Sequence, residues 1–131
     1  MVLAPQGQHE PPFGSDRLAA VIALRLAEAR ERVAGAAARV GRDPADVSLV
    51  AISKRQPPDR ILAAYEAGQR MFGENRAQEL VEHACLLPPD ASWHMVGHLQ
   101  RNKVALVAPI VASLHSLDNA RLAKAWAPSR V

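Results

Sequence analysis

The chain has 131 residues, a formal net charge of +3 and a single cysteine, Cys85. That length holds one domain or part of one, and a lone cysteine excludes an internal disulfide and suits a reducing cytoplasm. No apolar run approaches the ~20 residues of a membrane span, the opening residues lack the order of a secretory signal, and interspersed arginines and acids make no nucleic-acid stripe.

Residues 1–14 mix Pro5, Pro11 and Pro12 with Gln, Gly and His, the composition of a disordered leader. Ser15 or Asp16 is placed to cap the helix that follows. Leu18, Ile22, Leu26, Ala29, Val33, Ala37 and Val40 then recur every three or four residues, one face of a long amphipathic helix. Gly41 stands where a C′ glycine belongs.

Val47 to Ser53 is short, apolar and rich in β-branched residues, and prolines flank it on both sides. It reads as a buried parallel strand with both faces covered. Pro57 and Pro58 open a helix that stops near Gly68. Met71-Phe72 is a second strand, ending in Gly73-Glu74-Asn75. A helix over about Ala77 to Leu87 precedes a third strand, Trp93 to Val96. A short helix ends before Pro109, and Ile110 to His115 makes a fourth strand. Ser116 or Asp118 caps a last helix, Asn119 to Trp126, and the tail 127–131 has no periodicity.

One leading helix followed by four β-α units argues for an α/β fold with a parallel sheet. The repeat of about 20 residues is the rhythm of β/α barrels, and a complete eight-unit barrel needs about 250 residues. Four units make half of one. The expected organisation is a leader at 1–14, a partial (β/α) barrel at 15–126 and an unstructured tail at 127–131.

The first strand ends on Lys54. Carboxyl ends of strands form the ligand face of such folds. A lysine partly desolvated there has a lowered pKa, and its neutral amine attacks carbonyls. The alternative is an ordinary solvated lysine. Only three lysines, Lys54, Lys103 and Lys124, stand among 16 Lys and Arg residues, so a lysine at this point is itself informative.

Four segments resemble the pyridoxal-5′-phosphate homeostasis proteins, single-domain relatives of the alanine racemase barrel. They are Leu49 to Lys54, Ala67 to Asn75, Trp93 to Lys103 and Leu114 to Asp118. The third is the most specific, because its residues are too varied for composition to produce. The resemblance implies a barrel with pyridoxal 5′-phosphate at the carboxyl ends of its strands and Lys54 as the Schiff-base lysine. It implies cofactor buffering and delivery rather than catalysis. Racemases of this barrel add a second domain with a catalytic tyrosine, and Tyr65 is the only tyrosine here. A racemase- or decarboxylase-type enzyme and an inactive truncated fragment are the alternatives. The resemblance stops after the fourth unit, before the later loops that usually grip the phosphate.

Asn75 is a candidate to contact the cofactor or to cap the next helix. His98 is a candidate to line the barrel mouth or to bond local backbone. Glu74 reads as an acid or base, or as a strand-end acid paired with an arginine. His94, His98 and His115 lack the partners of a zinc set, so no metal is expected. The expected partners are a small-molecule cofactor and no nucleic acid or membrane. Open sheet edges also predict self-association of this chain.

Overall fold

The computed structural model describes residues 15–129. The expected leader, 1–14, lies outside them. Helix α1 (Ser15–Arg39) is followed by a 3₁₀ turn (Pro44–Asp46), β1 (Ala51–Ile52), α2 (Pro58–Glu66), β2 (Met71–Glu74), α3 (Ala77–Ala84) and β3 (Ser92–Met95). A 3₁₀ turn (Arg101–Lys103) then runs into α4 (Val104–Val107), and β4 (Ser113–Leu114) and α5 (Ala120–Ser129) complete the order. The strands form one parallel sheet in the order β1-β2-β3-β4. This is the expected leading helix with four β-α units.

Helix α1 buries the periodic face read from the sequence as far as Ala37, while Val40 is exposed. It ends in a Schellman motif. The Arg42 N–H donates to Ala37 O at 2.9 Å and the Gly41 N–H to Ala38 O at 3.1 Å, with Gly41 at φ +69°. Helix α2 starts as expected, with Pro57 at the cap and Pro58 at the first helical position.

Both outer strands are shorter than expected. The run Val47 to Ser53 contributes only Ala51 and Ile52 to the ladder, and Ile110 to His115 only Ser113 and Leu114. Each is an edge strand with a neighbour on one side. Ahead of β1 a side chain replaces the ladder. The buried Gln69 amide donates to both Leu49 O and Met71 O at 2.7 Å, and Arg30 holds its Oε1 at 3.0 Å.

The two faces of the sheet differ. Phe72, Trp93 and Met95 point into the helix layer, and Phe72 stacks on Trp93 with ring centroids 5.3 Å apart. A Cβ on Gly73 would meet Ile52, Val96 and Val50 side chains at 2.7–3.1 Å, so these share the opposite face. There Ile52 is 46% exposed. The expectation that both faces of the first strand are covered is therefore corrected: helices cover one face only.

Two boundary expectations also change. The side-chain oxygen of Asn119, not of Ser116 or Asp118, caps α5, accepting from the Leu122 N–H at 2.8 Å. Helix α5 continues to Ser129, so Ala127, Pro128 and Ser129 are helical rather than an unstructured tail. Pro128 lies in its last turn, where the lost N–H bond is local to the helix end.

Candidate functional site

Lys54 lies just beyond β1 in a tight turn. The Gln56 N–H donates to Ser53 O at 3.1 Å, which places Lys54 and Arg55 at the two central positions. Arg55 has φ +59°. Glycine or asparagine is the usual choice at such a turn position. The Lys54 side chain is exposed. That corrects the expectation of a partly desolvated amine, because the open face of the sheet leaves water against the strand end.

Lys54 lines a cavity of about 180 Å³ together with Arg55, Asn75, Arg76 and Glu79. Lys54 and Asn75 are thus brought together at the ends of adjacent strands. Asn75 does not cap α3, since the capping position falls on Arg76, and no side-chain hydrogen bond closes that cap. Backbone of Asn75 packs against Gly97, where a Cβ would come within 2.4 Å of Asn75 O. His98 is exposed and is not among the residues lining this cavity. A larger cavity of about 490 Å³ lies between α1, α2 and β1 and is lined mostly by apolar side chains, with no lysine.

Sequence reasoning missed a buried polar cluster behind the Lys54 turn. Glu74 ends β2 with its side chain fully buried on the helix side. Its Oε2 accepts a hydrogen bond from Ser53 Oγ and lies 2.7 Å from His83 Nδ1. Its Oε1 is buried without a partner among the described residues. On α3, Glu79 Oε1 accepts the Arg55 N–H at 2.8 Å. Glu74 therefore pairs with a histidine and a serine, not with the arginine expected from its strand-end position.

Burial pushes the Glu74 carboxyl above its usual range. The Ser53 and His83 hydrogen bonds oppose that shift, and the neighbouring Glu79 reinforces it. Burial also disfavours the Glu79 anion, but the Arg55 N–H, the Glu74 carboxyl, and the His83 and Arg76 charges together hold Glu79 below its usual value. The pair favours a proton on Glu74 and the charge on Glu79. Glu79 and His83 are four residues apart, on one helix face, a spacing legible in the sequence. What could not be read was that Glu74 turns to meet them.

Glu74, Glu79 and His83 bring three potential ligand atoms within 4.8 Å of one another. Glu74 and His83 are already bonded to each other directly, so two of the three are occupied. The histidines weighed from the sequence are arranged differently. His94 Nδ1 lies 3.0 Å from His115 Nε2, while His98 stands apart. Burial, then the nearby His115, lowers the His94 pKa below 6.5.

No family model matches the chain. A pyridoxal phosphate homeostasis protein of Escherichia coli is 42% identical over 106 residues, covering 78% of this chain and 45% of the relative. The Homo sapiens protein of the same name is 40% identical over 111 residues, covering 78% and 40%. The chain is homologous to about half of a pyridoxal phosphate homeostasis protein. Among solved structures, PipY of Synechococcus elongatus with PLP bound matches at TM-score 0.68 and 38% identity, covering 82% of this chain and 47% of PipY. An uncharacterised protein of Bifidobacterium adolescentis matches at TM-score 0.77 and 32% identity, covering 85% and 50%. The sheet and helices of this chain therefore have the fold of a partial β/α barrel of the alanine racemase type. Among the described residues, no helix is long and apolar enough to cross a membrane.

Proposed function

We propose that the chain binds pyridoxal 5′-phosphate in the cytoplasm, with Lys54 as the covalent attachment site, and serves cofactor homeostasis rather than catalysis. The observation that carries this reading is the place of Lys54: a primary amine at a parallel strand's carboxyl end, on the rim of a cavity shared with Asn75. The relatives carry the cofactor's name, and one solved relative holds PLP.

The donor set fits the cofactor in part. Pyridoxal phosphate supplies an aldehyde, and Lys54 supplies the amine that captures it. Arg55 and Arg76 add two cations beside the amine. The cavity's 180 Å³, however, falls below the ~300–1,000 Å³ of typical ligand pockets. A cavity of that size is small for the whole cofactor. His98, exposed beyond β3, is available to the rim of a wider mouth.

The test is borohydride trapping with pyridoxal phosphate, followed by peptide mapping. The adduct should fall on Lys54 in preference to Lys103 and Lys124. Lys54→Ala should abolish that preference, and Lys103→Ala and Lys124→Ala should keep it. A selective adduct surviving in Lys54→Ala would overturn the assignment.

Self-association is the second part of the reading. Among the described residues, strands β1 and β4 each have a sheet neighbour on one side only, and Ile52 on the open face is 46% exposed. Two copies joined edge to edge would cover this surface. Sedimentation should show a dimer or larger species, and a monodisperse monomer with a sharp cooperative melt would exclude this.

A further inference from the structure

The turn carrying Lys54 has an improbable conformation and is held from outside itself. Arg55 occupies the left-handed region at φ +59° without being glycine. Such a residue persists where its surroundings over-determine it. Here the surroundings are specific. On one side of Lys54, Ser53 Oγ donates to Glu74 Oε2, and the Ser53 N–H donates to Gly73 O at 2.9 Å. On the other side, the Arg55 N–H donates to Glu79 Oε1 at 2.8 Å. Glu74 is in turn fixed by His83 at 2.7 Å, and Glu79 and His83 stand on the same face of α3. Lys54 is thus the residue between two hydrogen-bonded clamps, both anchored in the following β-α unit.

We infer that Glu79 and the Glu74–His83 pair are positioning residues, which hold the Ser53–Gln56 turn so that the Lys54 amine faces the cavity it shares with Asn75. The inference rests on Lys54 being the attachment site and assigns the residues that act through it. The chemical logic is entropic. An exposed lysine on a loose turn samples many directions, and each direction away from the cavity dilutes the reactive one. A buried carboxyl on one flank and a carboxylate on the other restrict the backbone at no cost to the amine's access to water.

Glu79 offers the cleaner test, because it is only half-buried and the direct Glu74–His83 hydrogen bond does not run through it. In Glu79→Ala the Arg55 N–H loses its acceptor, whereas Glu79→Gln keeps an amide oxygen in the same place. Two quantities are read on the whole chain. They are amide hydrogen exchange at Arg55, and borohydride-trapped pyridoxal phosphate on Lys54 relative to Lys103 and Lys124. Glu79→Ala should speed Arg55 exchange and cut the relative labelling of Lys54 by about tenfold, and Glu79→Gln should restore most of both. Unchanged labelling in Glu79→Ala overturns the inference, whatever the exchange rate. Equal losses in Glu79→Ala and Glu79→Gln also overturn it, since charge rather than the hydrogen bond would then matter. If the parent chain shows no preference for Lys54, the attachment reading fails, while Arg55 exchange still decides whether Glu79 holds the turn.

Discussion

The two ends of the sheet are built from the same kinds of polar side chain and use them in opposite ways. At the amino end, Arg70 stacks over the Tyr65 ring at 3.7 Å and pairs with Asp90 at 3.1 Å, and Tyr65 donates to Asp90 at 2.5 Å. That lock is exposed, and both Asp90 oxygens are engaged in it. At the carboxyl end, Glu74 is buried beside Glu79 and keeps one oxygen without a partner among the described residues. Water screens the first arrangement, so it adds little to stability. The second sits in a low dielectric, where each partner matters. Polar groups that brace one end of the fold therefore shape the ligand face at the other.

The sharpest way to break this contrast is Glu74→Ala. It strips His83 and Ser53 of their shared acceptor and leaves a void, and the expected loss is about 2–5 kcal/mol in chemical denaturation, the range for truncating a large buried side chain. A loss under 1 kcal/mol would place the cluster with the exposed lock. Gly97→Ala comes next. Its new Cβ would meet Asn75 backbone at 2.4–2.9 Å, and backbone cannot rotate away as a side chain can. Overpacking of this kind costs about 1–3 kcal/mol.

A pH series sharpens the comparison further, because the two ends respond with opposite sign. The Glu74 pKa is raised above 4.5, so its contribution is complete below 4.5 and is lost as pH rises through the folded value. The Asp90 pKa is lowered below 3.8, chiefly by the Tyr65 hydrogen bond and against desolvation, with Arg70 helping. Its contribution is present above 3.8 and is lost as pH falls through the folded value. The His94 contribution likewise fades as pH drops below 6.5. Melting temperatures of Glu74→Gln and the parent should converge at acid pH and separate as pH rises. Parallel curves would show that Glu74 is ionised like a surface carboxylate. Asp90→Asn should have the smallest effect, a melting point close to the parent's at neutral pH.

Much of the architecture was legible because helix and strand periods are local. The α1 face, the Gly41 cap and the Pro57-Pro58 start follow from neighbouring residues alone. The lengths of β1 and β4 were not legible, since an edge strand looks like a central one until its partners are counted. The site divided in the same way. Lys54 and Asn75 were placed by strand ends, which sequence marks well. Glu74 was misassigned to an arginine, because its true partners, Ser53 and His83, come from the elements before and after its own strand. The exposure of Lys54 was missed for a related reason. The first strand's apolar composition suits a covered barrel interior, and in this chain that face is open.

The stack of Trp93 on Phe72 gives the molecule an optical gauge of its own. Trp93 is 4% exposed in the helix-side core, while Trp126 is half-buried on the last helix. Excited at the indole band, the first should emit toward the blue and shift to the red when β2 and β3 part. Replacing Trp126 with phenylalanine would leave a single fluorophore at the middle of the sheet. Its spectrum would then report whether the central strands stay assembled when the outer ones fray.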